Sequence, residues 1–231
     1  MLIEAKRNRI NVAELTFKTL PETFNGYRLF FISDVHRRNI PYRLLNKVRK
    51  RVDLIIIGGD LCEKGVPLAR IEKNIKHLTD IAPCIFVWGN NDFEVGEDHL
   101  QRIFTKYGVV VLSNSISYIQ SKQEQIAIVG VDNIESESIS FNLPQSMFAI
   151  LVCHFPEIVE RLQGNHPFSL VLSGHTHGGQ IRFFGLGIAK KGQFIYTSKY
   201  IQVISNGFGT TGIPMRLGAP AETHLIYLKR E

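Results

Sequence analysis

Short apolar runs alternate with polar, glycine-bearing breaks along this chain, and its first half keeps one rhythm. Residues 10–17 partly alternate and predict an early strand, and Pro21 and Asn25-Gly26 mark a turn after it. Residues 27–33 predict a strand that is apolar on both faces at Leu29-Phe30-Phe31-Ile32; residues 53–57 and 84–88 read the same way. Leu68, Ile71, Ile75 and Leu78 mark the core face of one helix. Leu100, Ile103, Phe104 and Tyr107 mark another, with Gly108 placed to stop it. Leu44, Leu45, Val48 and Val52 share one helical face, so a helix is also expected across residues 37–51. The order strand, helix, strand, helix, strand, helix predicts parallel pairing with right-handed crossovers.

After Gly108 the rhythm changes. Residues 109–112, 117–119 and 125–130 predict strands on short connections, and 132–147 reads as a polar loop. Residues 148–153 predict a strand ending on His154, and Pro156 opens a short helix. Further strands are expected at 170–172, 194–196, 201–204 and 225–228. With 231 residues and 44% hydrophobic content, the chain is long enough to bury one full core, so residues 1–231 are expected to form a single domain. An α/β domain with two packed sheets covered by helices fits this order better than one open sheet.

Charge changes the picture only locally. The net charge is +6, yet Arg37, Arg38, Arg43, Lys47, Arg49, Lys50 and Arg51 fall together without an acid among them. This is the solvated back of a packed helix, or a surface for phosphate, acidic headgroups or nucleic acid. The three cysteines (Cys62, Cys84, Cys153) sit in or beside apolar runs and read as buried thiols in a reducing compartment. No apolar run approaches the ~20 residues that span a bilayer, and the start lacks a signal-peptide core. A cytoplasmic protein is expected, with peripheral membrane contact through residues 37–51 left open.

The chemistry gathers at strand ends. Asp34 and His36, Asp60, Asn90, His154, and then His175 and His177 each follow an apolar strand. On extended chain the two imidazoles of Gly174-His175-Thr176-His177 would point to one side as a metal clamp. Ligands collected at one rim of a sheet are what a site at the carboxyl ends of strands requires. His77, His99, His166 and His224 are isolated and read as surface or packing residues.

The ordered motifs D-x-H, G-G-D, G-N-x-D, H and G-H-T-H resemble the calcineurin-like metallophosphoesterase superfamily. Leu172-Ser173-Gly174-His175-Thr176-His177-Gly178-Gly179-Gln180 is similar to its phosphodiesterase branch, as are Asn206-Gly207-Phe208-Gly209 and Pro220-Ala221-Glu222. The resemblance implies a four-layer αββα sandwich, two central mixed sheets flanked by helices. It implies that Asp34, His36 and His177 hold one metal, that Asn90, His154 and His175 hold a second, and that Asp60 bridges them. Two divalent ions, two carboxylates and a bridging hydroxide would net a positive charge suited to a phosphate anion. Imidazole and oxygen ligands without thiolate favour Mn, Fe, Zn or Ni, Mn first. The implied reaction is in-line attack of the metal-bridging hydroxide on a phosphate ester or pyrophosphate, from a phosphorylated small molecule or a phospholipid-type substrate. Arg37 and Arg38 are candidates for substrate binding, with Arg182 and Arg216 behind them.

One position departs from the family. The usual motif is G-N-H-D, with a histidine that protonates the leaving oxygen, and here Asn91 stands in its place. An amide donates a hydrogen bond but gives up no proton near neutral pH. General acid help is worth typically ~10²–10⁴-fold, so the expected substrate has an acidic leaving group. The alternative is a weak or inactive member that binds metal and serves as a docking scaffold.

Overall fold

The structure is a computed structural model that describes residues 1–132, 141–162 and 166–231. One helical turn, α1 (Leu2–Ala5), precedes β1 (Arg9–Phe17) and β2 (Arg28–Ile32). Then follow α2 (Tyr42–Leu45), β3 (Leu54–Gly58), α3 (Leu68–Thr79), β4 (Cys84–Val87), α4 (Glu97–Lys106) and β5 (Val110–Leu112). The second half holds β6 (Ser115–Ser121), β7 (Glu124–Val131), β8 (Ala149–Cys153) and β9 (Phe168–Ser173). It closes with β10 (Gln193–Tyr196), β11 (Ile201–Ile204) and β12 (Glu222–Arg230). Part of the polar 132–147 stretch, residues 133–140, lies outside the described residues.

The strands form two six-stranded sheets, ordered β1-β12-β2-β3-β4-β5 and β10-β11-β9-β8-β7-β6. β2 to β5 run parallel in the first sheet, as do β7, β8, β9 and β11 in the second. Parallel strands end at a common rim, so the loops after them converge there. β12 lies between β1 and β2, parallel to the first and antiparallel to the second.

Period-2 alternation assigns each side chain to a layer. Leu29, Phe31, Leu54 and Ile56 meet Ile126, Ile128, Ile150, Val152, Leu170 and Leu172 between the sheets. Their neighbours Phe30, Ile32, Ile55 and Ile57 face outward onto Ile71, Ile75 and Leu78 of α3 and Leu100, Ile103 and Phe104 of α4. The outer face of the second sheet (Ala127, Val129, Leu151, Cys153, Val171) is covered by Leu143 and by Ile158 of a 3-10 turn at Pro156–Arg161. This is the αββα sandwich expected, and the strands buried on both faces account for the continuous apolar runs. Among the described residues the helical layer over the second sheet is thin. Cys62, Cys84 and Cys153 are free and buried.

The basic 37–51 stretch is the main departure. Only residues 42–45 are helical; beyond them Lys47 and Val48 bond back three residues while Arg49 bonds back four, a run of turns that ends at Lys50 with φ 63°. Arg43 and Lys47, and Lys47 and Arg51, are like charges four apart with no acid between them, which disfavours a regular helix. Leu44, Leu45 and Val48 are buried all the same, so core packing survived the loss of helical form.

Phe31 sits between the sheets with its ring against the backbone of Gly58, where a Cβ would collide. Phe31→Ala should therefore destabilise the protein by about 3–5 kcal/mol in urea unfolding. A loss under about 1 kcal/mol would mean that the space between the sheets is not the principal core.

Candidate metal centre

The rim loops are held in conformations that L residues avoid. Asp34 (φ 53°), His36 (50°), Asp60 (51°), His175 (68°) and His177 (50°) all lie in the left-handed region. Each such residue costs roughly 1–2 kcal/mol, and the surrounding structure must hold it there. Backbone bonds between loops do so. Asp34 N donates to Gly59 O (3.0 Å), and the N–H groups of Val35 and His36 both donate to Asp60 O (2.8 and 3.2 Å). Gly174 N donates to His154 O (3.0 Å), and Gly209 N to Asp34 O (2.6 Å). A Cβ on Gly207 would lie 2.6 Å from Asp34 Cβ, and one on Gly59 would lie 2.6 Å from His154 Nδ1. Only glycine lets these strands of backbone approach so closely.

Five of the seven expected ligands come together in two buried groups that share a carboxylate. Asp34, His36 and His177 form one, and Asp34, Asp60 and His154 the other, with the ligand atoms of each within 4.8 Å of one another. His177 Nε2 is 3.1 Å from His36 Nε2 and 3.4 Å from Asp34 Oδ1. His154 Nε2 is 3.2 Å from Asp60 Oδ2 and 3.9 Å from Asp34 Oδ1. Asp60 Oδ2 also comes within 3.8 Å of His36 Nε2. Asp60 was expected as the lone bridge; here Asp34 occupies both groups and Asp60 stands between two histidines beside it.

His175 and His177 diverge, contrary to the extended clamp expected of them. Thr176 is helical (φ −72°, ψ −18°) between two left-handed residues, which turns the rings apart. His177 faces the buried pair Asp34 and His36. His175 is exposed, its ring 5.1 Å from that of His154 and 4.6 Å from that of Phe155. Asn90 is exposed at the same rim, and its Nδ2 donates to Asn91 Oδ1 (3.0 Å). Asn91 N in turn donates to Asp60 Oδ1 (2.9 Å), while its side-chain amide donates to Glu94 Oε1 (3.3 Å).

The donors suit a hard or borderline divalent cation. Asp34 Oδ2 and His154 Nε2 are buried without a hydrogen-bond partner, an arrangement a cation would satisfy. His154 Nδ1 donates to Gly58 O (2.9 Å), which fixes the ring with Nε2 turned toward Asp60. Burial raises the pKa of Asp34, but His177, His154 and His36 outweigh it and hold the carboxyl below its usual range. Burial and then His36 and Arg216 press His177 down to about 4 against the pull of Asp34, so it is a neutral Lewis base at pH 7. His175, exposed as a residue but with its ring set against those of His154 and Phe155, is lowered by partial desolvation and then by His154. His154 goes the other way: burial alone would lower it, yet Asp60 and Asp34 raise it to about 9.

Two supporting residues, Asp92 and Glu63, received no role in the sequence reading, and a third, Arg216, stood there only as a reserve cation for substrate. Asp92, the last residue of Gly89-Asn90-Asn91-Asp92, is fully buried and accepts from the N–H groups of Asp60 (2.8 Å), Gly89 (2.9 Å) and Cys62 (3.1 Å). It fastens the Asp60 loop to the Asn90 loop; burial first and then Asp60 push its carboxyl up. Glu63 places Oε2 2.9 Å from His36 Nδ1, close but not aligned as a hydrogen bond, and its position three residues after Asp60 was the available signal. Arg216 is wholly buried and donates to His177 O, Ala219 O, Asn206 O and Gly209 O, with Nη2 3.1 Å from His177 Nδ1.

The two arginines expected to bind substrate are engaged elsewhere. Arg38 donates to Phe208 O, Lys6 O, Arg7 O and Asn8 Oδ1 and lies 3.7 Å over the Phe208 ring, so it braces the N-terminal segment rather than the site. Arg37 is exposed, paired with Glu63 and donating to Lys64 O (3.1 Å). Beside His175 an open cavity of about 490 Å³ is lined by Glu157, Thr176, Gly187, Ile188, Ala189 and Lys190, a cation and an acid no motif singled out.

In chelator-treated protein the His154 imidazole should titrate near 9 by NMR, and Asp60→Asn should return it toward the ordinary 6.5. A folded pKa above the unfolded one stabilises fully below pH 6.5, and that contribution is lost as pH rises through about 9. A titration unmoved by Asp60→Asn would break the assigned pairing.

YpbG of Bacillus subtilis (strain 168), an uncharacterized protein, is 47% identical over 207 residues, covering 87% of this chain and 80% of its own. Phosphodiesterase YaeI of Escherichia coli (strain K12) is 28% identical over 68% of this chain and 62% of its own. The crystal structure of phosphopantetheinyl hydrolase PptH from Mycobacterium tuberculosis matches with a TM-score of 0.52 over 83% of this chain and 91% of that one. At 14% identity that likeness shows the fold alone. The calcineurin-like phosphoesterase family matches residues 27–179, from the start of β2 through the turn after β9, and the chain belongs to that family.

Proposed function

We propose that this metallophosphoesterase is a phosphodiesterase that cleaves a phosphate ester or pyrophosphate with an acidic leaving group, using two divalent cations. The observation that carries this reading is the pair of buried Asp/His groups sharing Asp34 at the common rim. Asp34, His36 and His177 would hold one cation. Asp60, His154, Asn90 and His175 would hold the other, with Asp34 and Asp60 between the two. When bound, the cations supply Lewis-acid stabilisation of phosphoryl oxygens and a water acidic enough to serve as nucleophile at neutral pH. Mn is the first choice for this imidazole, carboxylate and amide set, ahead of Fe, Zn and Ni.

The chain's own residues do the rest. Neutral His177 and His175 offer lone pairs at pH 7, and the Asn90 carbonyl adds an oxygen without charge. Lys190 in the cavity beside His175 supplies a cation for a substrate oxygen, a place better suited to it than Arg38. Arg37 stays a candidate on the exposed side of Glu63. Asn91 orients but does not protonate: its backbone N–H holds Asp60, and its side chain bridges Asn90 and Glu94. Departure of the leaving group therefore falls to its own acidity. Asn91 is also what favours the second reading, a metal-binding scaffold with little turnover. The exposed Arg43, Lys47, Arg49 and Lys50 form a basic surface open to nucleic acid. No helix among the described residues is long and apolar enough to cross a membrane.

Mn²⁺-loaded protein should hydrolyse bis-p-nitrophenyl phosphate and lose the activity on chelation; no turnover with any divalent ion would favour the scaffold. Asp34→Asn and Asp60→Ala should each lower bound metal from about two ions per chain, counted by elemental analysis. Full occupancy in either would contradict its place between the cations. Asn91→His should raise turnover by ~10²-fold or more for alkyl leaving groups and far less for aryl ones. An equal gain on both would remove the general-acid argument.

A further inference from the structure

Between β9 and β10 the chain builds an apolar hairpin that no part of the core uses. Phe183 and Leu186 exchange backbone hydrogen bonds, each N–H donating to the other's carbonyl at 2.9 Å. Phe184 (φ 50°) and Gly185 (φ 84°) both sit in the left-handed region, the signature of a type I′ turn. Asparagine is the usual first residue of such a turn; here a phenylalanine takes the strained position and is thrown fully outward. Phe183 is 64% exposed, Phe184 105%, Leu186 79% and Ile188 98%.

The tip is braced from below. Arg182 Nε and Nη2 donate to Gly185 O (3.1 and 2.7 Å), and Nη1 donates to Gly178 O (2.9 Å) and Ala189 O (2.8 Å). Its charge is thus held within the base of the loop while four large apolar side chains point into solvent. Gln180 Nε2 fastens the adjoining segment by donating to Thr211 O and Ile213 O, and Ile213 is itself half exposed. Lys190 and Lys191 follow the apolar residues and are exposed, and residues 180–193 contain no acid.

A cluster of this kind on a solvated surface marks a binding face. Its shape and charge select the occupant. The tip is an exposed, aromatic turn, so it needs a soft apolar medium rather than a matching pocket, and the two exposed lysines that follow it in the chain suit acidic headgroups. A second copy docked through the same patch would bring like charges together, Lys190 and Lys191 against their own images. The hairpin also adjoins the metal centre, since Gly178 follows His177 directly and Ile188 and Lys190 share a cavity with His175.

We propose that the 182–191 hairpin inserts into anionic lipid bilayers and seats the rim of the metal centre at the headgroup layer. The docking is independent of whether the site turns over substrate. It differs from contact through residues 37–51, where exposed large apolar side chains are limited to Tyr42.

Vesicle sedimentation of the full chain tests it. The protein should bind vesicles of phosphatidylcholine mixed with phosphatidylglycerol more tightly than phosphatidylcholine alone. Phe184→Ser with Leu186→Ser should weaken that binding at least about tenfold while leaving bis-p-nitrophenyl phosphate turnover and thermal unfolding unchanged. Lys190→Glu with Lys191→Glu should weaken binding to the anionic vesicles roughly fivefold per lysine. Lys47→Glu with Arg49→Glu should leave it unaltered. In Phe184→Trp, emission should shift to the blue when anionic vesicles are added. Equal binding by the serine variant, no blue shift, or loss confined to the Lys47 and Arg49 variant would each overturn the proposal. So would a concentration-dependent dimer abolished by the serine pair without vesicle binding, which would assign the tip to a second copy.

Discussion

The rim depends on keeping the Asp34 carboxylate ionised without water. The group is fully buried, and moving an unpaired carboxylate into protein costs several kcal/mol at least. Three imidazoles, His36, His154 and His177, stand around it, and their pull keeps it acidic against its burial. Two of these belong to one half of the sandwich by sequence and one to the other, so the carboxylate is where the sheets are joined electrostatically. With cations bound, the same geometry leaves few alternatives, because Asp34 Oδ2 has no protein partner. The strained left-handed residues around it are then understandable as a cost borne to aim ligands inward.

Holding that geometry falls to groups that touch no substrate. Asp92 joins two loops of the first sheet through three backbone N–H bonds. Arg216 collects five carbonyls from the turn after β9 and the 206–219 segment, and brings the His177 turn and the glycine-rich Asn206 loop together. Glu222 completes this side by accepting from both the backbone and the side chain of Asn206 (each 2.9 Å). These are buried charges whose value lies in placing backbone, and a partial set would leave several polar groups unpaired at once. Glycines 59, 174, 207 and 209 allow the approach, since added Cβ atoms would meet His154, Asp34 or the backbone of Val35.

Function then follows from what surrounds this fixed core. Asn91 bridges Asn90 and Glu94, and in the reaction proposed above this leaves departure of the leaving group to its own acidity. Across the rim, the cavity by His175 and the braced hairpin beside it lie on one continuous stretch of chain, residues 175–190. Two of the candidate ligands, His175 and His177, and the groups proposed for substrate and bilayer contact thus belong to the single connection between β9 and β10.

The sheets and helices were legible because each is written in a local period: two-faced apolar runs for β2, β3, β8 and β9, and i, i+3, i+4 spacing for α3 and α4. The ligand types were legible for a related reason, since each directly follows a strand whose end is local information. What those ligands do to one another was not. His36 and His177 stand 3.1 Å apart across 141 positions, and no period encodes that contact or the sharing of Asp34. Likewise Arg38 is a candidate substrate cation by sequence and is turned inward by carbonyls of residues 6, 7 and 208, while no local pattern marks the 183–188 tip as the apolar stretch left exposed. Local sequence determines the direction a backbone takes; which charge meets which, and which apolar group stays uncovered, is decided only when distant segments compete for the same space.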